Sequence, residues 1–352
     1  MSNSNFLNRR EWLIGAGVAA LAAGCGSANS TAQSEPPTAE TKPVETDQPS
    51  TDPVDLSGTS ILITGSSSGF GRLGAEHYAR LGAKVFATMR NLPRPEAEAL
   101  EQLAKDENLD LTVIELDVTK DDQVASAMAE ALELCDGKLD VLINNAGISY
   151  AGPIEVQDME ATQHLFDTNV YGPHRLARAA LPAMRQAGSG YIINVSSQLG
   201  RVMIPGIAMY SPTKFALEAM SEQMAYEVVQ HGVEVTIVQP GGYPTKIWDN
   251  ARPLAAALKG RLNEEQLAAY PILTAGMDGQ GGGGGSTDPM DIPHAIVEMI
   301  AMPKGSRPLR RAVHPGNRPQ LPINEISAQQ QLAMLGDSGY GPWVKAVHNV
   351  DD

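Results

Sequence analysis

Short apolar runs alternate with longer amphipathic stretches along most of the chain, from about Ser57 onward. The intervening stretches are rich in Ala, Glu and Leu at helical spacing, whereas the apolar runs are rich in Val and Ile, as in strands buried on both faces. Strands that alternate with helices predict a parallel sheet covered on each side, an α/β Rossmann-like doubly wound fold with three α/β/α layers. The six predicted strands are TSILITG, AKVFATM, DLTVIELD, LDVLINNAG, GYIINVSS and VEVTIVQPG.

The chain begins with a different pattern, in which a polar start with Arg9 and Arg10 precedes an apolar run and then small residues. This order is that of an export signal, and the apolar run is short for a permanent membrane span. RREWLI resembles a twin-arginine signal, although Asn8 and Trp12 depart from its usual residues. LAAGC resembles the lipobox of bacterial lipoproteins, which implies lipidation of Cys25; an uncleaved helical anchor or a chance match is the alternative.

The composition divides the chain into four segments: a signal with lipobox over 1–25, a tether over 26–56, a globular domain over 57–319 and an extension over 320–352. The tether is rich in Ser, Thr, Pro and acidic residues, and with almost no apolar residue to bury it is expected to be disordered.

Within the globular domain, a substrate lid is expected at about 243–290, with one or two helices and a flexible glycine run. Trp248, Leu254, Leu258 and Leu262 fit either a lid or core packing. RPLRRAVHP predicts a last strand, and one helix is expected in the extension.

Charge and cysteine content narrow the function classes. A net charge of -15 disfavours nucleic acid as a partner, because nucleic-acid binding needs clustered Lys and Arg. Cys25 and Cys135 have no neighbours at zinc-ligand spacing, and the seven histidines are scattered. We therefore expect neither a metal site nor a disulfide framework.

A glycine-rich turn follows the first predicted strand, with Gly65, Gly69 and Gly71 in TGSSSGFG. Glycines at a strand-to-helix turn let the backbone approach a pyrophosphate, which the free N–H groups and the positive helix end then bind. The G-x-x-x-G-x-G spacing differs from the usual dinucleotide fingerprint and by itself also fits a plain turn. Its place in the strand and helix alternation favours a dinucleotide site.

The end of the second predicted strand, VFATMRN, favours NADP (NADPH) over NAD. It offers Arg90 for a 2'-phosphate and no carboxylate for a ribose hydroxyl, with Ser67 or Arg72 as possible helpers. The alternative for Arg90 is a solvated loop charge. Asp117, after the third strand, is placed to accept a hydrogen bond from an adenine amino group.

Tyr210 and Lys214 lie four residues apart at the start of a predicted helix and therefore share one face. An ammonium beside a phenol favours the phenolate and is expected to lower the pKa of Tyr210, which suits proton transfer to or from a substrate oxygen. Ser197 ends the strand GYIINVSS, where its hydroxyl can donate to the same oxygen. No His or acid is spaced to make Ser197 a nucleophile.

Taken together, TGSSSGFG, NNAG, Asn169 in DTNVYG, Ser197, YSPTK and PGGYPT resemble the short-chain dehydrogenase/reductase family in order and spacing, over about residues 57–250. The resemblance implies that Tyr210 is the general acid or base, that Lys214 holds the nicotinamide ribose and lowers the tyrosine pKa, and that Asn169 positions Lys214 through a water. It also implies a cofactor site made of Gly65, Ser67, Ser68, Gly69, Phe70, Gly71, Arg90, Asp117, Val118, Asn145, Ala146, Gly147, Tyr210, Lys214, Pro240, Gly241 and Thr245.

The implied protein is an NADP(H)-dependent oxidoreductase that interconverts a carbonyl and a secondary alcohol. TGSSSGFGR and VFATMRN resemble the hydroxysteroid and retinol dehydrogenase branch, which implies a lipophilic substrate. The family further implies a homodimer or homotetramer, and the signal implies an exported envelope lipoprotein held to the membrane by its lipid. A non-catalytic nucleotide-binding redox sensor or scaffold remains the alternative, and a sugar epimerase is disfavoured by the glycine spacing.

Overall fold

The apolar runs form one parallel sheet of seven strands, in the order β3-β2-β1-β4-β5-β6-β7. The computed structural model describes residues 54–279 and 285–350. The predicted Rossmann-like α/β fold is confirmed, and the predicted last strand is the seventh, β7. The strands are β1 Ser60–Thr64, β2 Lys84–Met89, β3 Leu111–Glu115, β4 Val141–Asn144, β5 Gly190–Val195, β6 Val233–Pro240 and β7 Arg310–Val313.

Helices cover both faces of the sheet because its inner strands alternate their buried side chains between two apolar clusters. One cluster packs β1, β2, β4 and β5 against α1, α2 and α10, and the other packs them against α3, α5 and α6. These six helices are α1 Gly69–Arg80, α2 Pro95–Glu107, α3 Asp121–Leu134, α5 Gly172–Ala187, α6 Tyr210–Val228 and α10 Asp291–Ala301.

The order in which successive strands are added to the sheet reverses between β1 and β4, which are hydrogen-bonded neighbours and run parallel. The first three strands extend the sheet to one side, and β4 to β7 extend it to the other. At such a switch point the connecting segments diverge and leave a crevice outside the carboxyl ends of the strands. The loops that follow β1, β4, β5 and β6 therefore meet at one place.

The run over 248–270, where the sequence predicted one or two helices, forms two, α7 Ile247–Lys259 and α8 Glu264–Ala269, and a further short helix, α9 Pro271–Ala275, follows them. Leu258 of α7 is fully buried with Tyr150 and Leu165 in a third apolar cluster, against which α4 (Met159–Phe166) also packs. Packing in this cluster attaches α7 to the rest of the domain. Residues 280–284, in the middle of the predicted glycine loop, lie outside the described residues.

Two helices, α11 Gln320–Leu335 and α12 Gly341–Val347, form the C-terminal segment, where the sequence predicted one. Val347 of α12 is buried in the cluster that includes α6, and Tyr226 of α6 makes a 2.7 Å hydrogen bond with His348. The predicted signal, Cys25 and residues 26–53 of the predicted tether lie outside the described residues. In the described ranges, no helix combines the length and hydropathy that a bilayer crossing requires.

A buried ion cluster joins β7 to α6. The Arg310 guanidinium lies 2.8 Å from a carboxylate oxygen of Glu218 and 2.6 Å from one of Glu222. The side chains of Arg310 and Glu218 are only 6 % and 2 % exposed. Gln239 of β6 donates to Glu218 and accepts from Asn324 of α11. One arginine thus neutralises two acidic groups beneath the C-terminal helices.

Replacing Arg310 with Met is expected to destabilise the protein by about 3–5 kcal/mol, because two buried carboxylates lose the guanidinium that is hydrogen-bonded to both. Arg311→Met is the matched control: its pair with Glu298 is 46 % and 62 % exposed, and such pairs contribute about 0–1 kcal/mol. Urea unfolding of both variants and the wild type measures the difference. Equal destabilisation by the two substitutions would refute the special role of Arg310.

Candidate active site

A cavity of about 610 Å³ opens at the carboxyl ends of the strands, at the switch point. The structure brings most of the predicted site residues to its wall, although they come from loops far apart in sequence. Those that line it are Gly65, Ser67, Ser68, Gly69, Phe70, Arg90, Asp117, Val118, Asn145, Ala146, Gly147, Ser197, Tyr210, Lys214, Pro240, Gly241 and Thr245. Gly71 and Asn169 lie behind this wall.

The glycine turn after β1 is shaped by close backbone contacts. Gly65 has φ +73, and a Cβ there would lie 2.9 Å from the backbone Cα of Ala146. A Cβ on Gly71 would lie 2.3 Å from the Gly65 carbonyl oxygen and 2.5 Å from Nδ2 of Asn145. Gly71 therefore permits α1 to pack against the turn, and it does not form the surface that the family resemblance implied.

The first turn of α1 faces the cavity, which Ser68, Gly69 and Phe70 line. Ser68 makes no side-chain capping bond, and the first turn carries no acidic residue. The partial positive charge of the helix end is therefore not offset locally, which suits an anionic group. The narrow glycine turn and this helix end together fit the pyrophosphate of a dinucleotide.

Two guanidinium groups lie at the end of β2, where the sequence predicted one. Arg90 is exposed and lines the cavity, as does Arg94, whose Nη1 donates to the Arg90 carbonyl oxygen at 3.2 Å. Arg94 was missed because it lies five residues beyond the end of β2, and the sequence of the intervening NLP turn does not show that the chain turns back to the cavity. Arg72, a predicted helper, is instead paired with Glu76 and donates to the Glu96 carbonyl oxygen.

Asp117 lines the cavity next to Arg90 and accepts hydrogen bonds from the backbone N–H and the hydroxyl of Thr119 at 2.9 and 2.7 Å. Burial acts to raise the pKa of Asp117, but these bonds and the charges of Arg90 and Lys120 outweigh it and hold the pKa below its usual value. Asp117 is therefore an ionised acceptor at neutral pH, consistent with its predicted contact to an adenine amino group.

Tyr210, Lys214 and Ser197 come together at the opposite part of the cavity. Tyr210 is the first residue of α6, and Lys214 lies one turn later with Nζ 5.7 Å from the tyrosine ring centroid. Ser197 follows β5, accepts a hydrogen bond from the Leu199 N–H and is hydrogen-bonded to Tyr210. A substrate oxygen placed between the two hydroxyls would meet both donors.

The protonation of this trio differs from the sequence-based expectation. Burial raises the pKa of Tyr210 to about 12, although its hydrogen bond with Ser197 acts in the opposite direction. Burial also lowers the pKa of Lys214 to about 8 against the opposing charge of Glu218, and the Lys214 ammonium donates to the Val195 carbonyl oxygen at 2.9 Å. The expected lowering of the Tyr210 pKa by Lys214 is not found; at neutral pH Tyr210 is a proton donor.

Asn169 lies on a single π-helical turn, Asp167–Tyr171, that interrupts the path from α4 to α5. Its Oδ1 accepts from the Ile148 N–H at 2.9 Å, and its Nδ2 donates to the Ile148 carbonyl and to the hydroxyl of Thr213. No hydrogen bond between Asn169 and Lys214 is found within residues 54–279 and 285–350. Both groups instead flank Gly147, where a Cβ would lie 3.4 Å from Asn169 Oδ1 and 3.8 Å from Lys214 Nζ.

The remaining wall, next to Ser197 and Tyr210, is mainly apolar. Ile148, Ile204, Trp248 and Leu254 line it, so two of the predicted lid residues reach the cavity while Leu258 belongs to the core. His164 of α4 also lines this part. Sequence analysis did not single out His164, because no ligand-like spacing marked it among seven scattered histidines.

No group of His, Cys, Asp and Glu side chains suited to a metal ion occurs in the part of the chain that the structure describes. Cys135 is partly exposed at the end of α3, and burial raises the pKa of its thiol. At the cavity itself, a phenol, an ammonium and a hydroxyl lie beside a site shaped for a dinucleotide.

Comparison with known proteins agrees with this geometry. The profile of the family described as short chain dehydrogenase matches residues 59–255. Retinol dehydrogenase 8 of Homo sapiens is 32% identical over 280 residues, which are 77% of this chain and 86% of that protein. The oxidoreductase YusZ of Bacillus subtilis is 39% identical over 193 residues, 54% of this chain and 67% of that one.

Solved structures show the same fold. A short-chain dehydrogenase from Streptomyces avermitilis superposes with a TM-score of 0.63 at 32% identity, covering 78% of this chain and 96% of that one. A Burkholderia phymatum short-chain dehydrogenase/reductase in complex with NAD has a TM-score of 0.62 at 24% identity, covering 80% and 96%. A metagenomic short-chain oxidoreductase in complex with NADP has a TM-score of 0.58 at 26% identity, covering 74% and 99%.

Proposed function

The chain belongs to the short-chain dehydrogenase family, and from that premise we propose that it interconverts a carbonyl and a secondary alcohol on a lipophilic substrate with NADP(H). The observation that carries the proposal is the meeting of Tyr210, Lys214 and Ser197 at the wall of a cavity whose other end is a glycine turn and a helix N-terminus. These groups provide proton transfer next to a dinucleotide site.

The chain's own residues handle the substrate oxygen. A reduced nicotinamide, when bound, supplies the hydride that the carbonyl carbon accepts. Ser197 donates a hydrogen bond to the carbonyl oxygen, and Tyr210 gives that oxygen its proton as the negative charge develops. Lys214, which donates to the Val195 carbonyl, lies one turn beyond Tyr210 and would hold the ribose of the nicotinamide beside it. In the oxidative direction Tyr210 accepts the alcohol proton.

Several features support NADP(H) over NAD(H). Arg90 and Arg94 both line the cavity near the end of β2, and the Arg94 guanidinium is held there by its hydrogen bond to the Arg90 carbonyl oxygen. Arg94 shares its charge with Glu96, whereas Arg90 is exposed. An arginine beside the ribose suits the 2'-phosphate, because a guanidinium can bind phosphate through two parallel hydrogen bonds.

The location is proposed from the sequence. The twin-arginine-like run and the lipobox-like LAAGC support an exported lipoprotein, acylated at Cys25 and connected to its domain by a roughly 30-residue tether. A twin-arginine route is consistent with a nucleotide-binding enzyme, because it carries proteins that have already folded around a cofactor.

Tyr210→Phe is expected to lower kcat for ketone reduction with NADPH by about 10²–10⁴-fold, because the substrate oxygen loses its proton donor. Binding of NADPH, followed by fluorescence titration, should stay within about twofold of the wild type. Tyr340→Phe is the control, since Tyr340 is 60% exposed on the C-terminal segment. Turnover retained in Tyr210→Phe would remove Tyr210 from the mechanism.

Arg90→Ala is expected to raise KM for NADPH by about 10- to 100-fold, as for the loss of a hydrogen bond to a charged group. KM for NADH should change little, because NADH has no 2'-phosphate, and this makes NADH the internal control. Steady-state kinetics with both nucleotides measures the ratio. A wild-type preference for NADH, or an equal loss with both nucleotides, would contradict the assignment to NADP(H).

Mass spectrometry of the mature protein from its native host is expected to show a diacylated or triacylated N-terminal Cys25. Cys25→Ser should release the protein from the membrane fraction, while Cys135→Ser serves as the matched control. An unmodified Met1 in the mature protein would rule out the proposed anchor.

A further inference from the structure

The apolar half of the cavity contains one imidazole among its described lining residues, that of His164. Ile148, Ile204, Trp248 and Leu254 line the same half. Ser149, Thr168, Gln198 and Asn250 also line the cavity. In a site of this kind a few precisely placed polar groups fix the orientation of a ligand. This inference rests on the proposed function and concerns which substrates this half of the site selects.

A hydrogen bond with the hydroxyl of Tyr150 determines which tautomer the His164 ring adopts. The hydroxyl of Tyr150 lies 3.0 Å from Nδ1 of His164, and the two rings meet edge to face. Tyr150 is only 5% exposed, within the apolar cluster under α7, and burial raises the pKa of its phenol. It is therefore neutral, and within the described residues its hydroxyl has no other hydrogen-bond partner.

The proton arrangement follows from satisfying both groups. If Tyr150 donates to Nδ1, its hydroxyl proton is paired, and a neutral imidazole must carry its own proton on Nε2. Nε2–H is then the donor that the ring offers to the cavity. The buried tyrosine thus fixes the tautomer of a residue that lines the substrate half of the site.

The surrounding charges decide what this donor selects. Asp158, Glu160 and Arg261 act on Tyr150 electrostatically, and Arg261 is paired with Asp158 at 2.6 Å. Glu160 leaves the local balance negative, which disfavours an anionic substrate group near the imidazole. An ionised carboxylate is the stronger acceptor for an N–H group, but it would be repelled by this negative charge, whereas a neutral oxygen would not.

We propose that His164, with its tautomer set by Tyr150, donates through Nε2–H to a second, neutral oxygen of the substrate, separate from the oxygen that Ser197 and Tyr210 hold. The substrate class is then a lipophilic ketone or secondary alcohol that carries a further carbonyl, ester or ether oxygen. His164 is a specificity-determining residue in this role and takes no part in proton transfer.

The test compares three probes with NADPH: a linear methyl ketone, the same ketone with a methyl ester at its far end, and its free carboxylate. Wild-type kcat/KM is expected to favour the ester over the plain ketone by about 3- to 10-fold, the contribution of one hydrogen bond. His164→Leu should abolish this preference and leave the plain ketone within about twofold. The carboxylate should be the poorest of the three.

Further variants distinguish the loss of the His164 N–H donor from a general loss of folding. His164→Gln keeps an N–H donor and should retain part of the preference, whereas Tyr150→Phe leaves the ring in place but frees its tautomer and should reduce the preference. His174→Phe, an exposed histidine on α5, is the matched control and should behave as the wild type. Thermal unfolding of each variant shows that it is folded.

The outcomes distinguish the two proposals. Absence of turnover of all three probes in the wild type would overturn the proposed function, and this inference with it. Turnover of both neutral ketones with the same ester preference in the wild type and in His164→Leu would overturn the role of His164 alone. A preference for the carboxylate would overturn the neutral acceptor.

Discussion

A set of hydrogen bonds between Thr64, the last residue of β1, and the segment after β4 holds the two sides of the site together. Oγ1 of Thr64 accepts from the backbone N–H groups of Asn145 and Ala146, both at 3.0 Å, and Nδ2 of Asn145 donates back to the Thr64 carbonyl at 2.9 Å. These bonds cross the switch point just beyond the last paired residues of β1 and β4. Buried backbone groups there have no strand partner and still need hydrogen bonds. They fix the glycine turn against Ala146 and so set the width of the cleft that a dinucleotide would enter.

Helix α6 links catalysis to the C-terminal segment. Its first two turns carry Tyr210 and Lys214, and the next two carry Glu218 and Glu222, which Arg310 of β7 neutralises. Glu218 also acts on Lys214, since its negative charge opposes the effect of burial on the Lys214 pKa. The position of the end of α6 that carries Tyr210 and Lys214 therefore depends on a buried ion cluster that begins one turn further along the helix.

The two ends of the cavity differ in the interactions that they offer to a ligand. At the nucleotide end, backbone N–H groups, a helix terminus and exposed guanidinium groups attract phosphate oxygens. At the other end, burial raises the pKa of Tyr210, and apolar side chains line the wall together with His164 and a few other polar groups. Charge is therefore the main feature of the first end, and burial is the main feature of the second.

The sequence by itself determined the sheet and most of the cavity wall. Strands buried on both faces leave a local signal of Val and Ile, and parallel strands bring their carboxyl ends to one edge, so motifs at those ends meet. Only the tertiary structure decided how Arg94 and His164 reach the cavity, that Arg72 donates to the Glu96 carbonyl, and that the C-terminal segment forms two helices. It also decided the protonation of Tyr210, because desolvation sums over neighbours from distant parts of the chain, whereas the four-residue spacing to Lys214 reports only one of them.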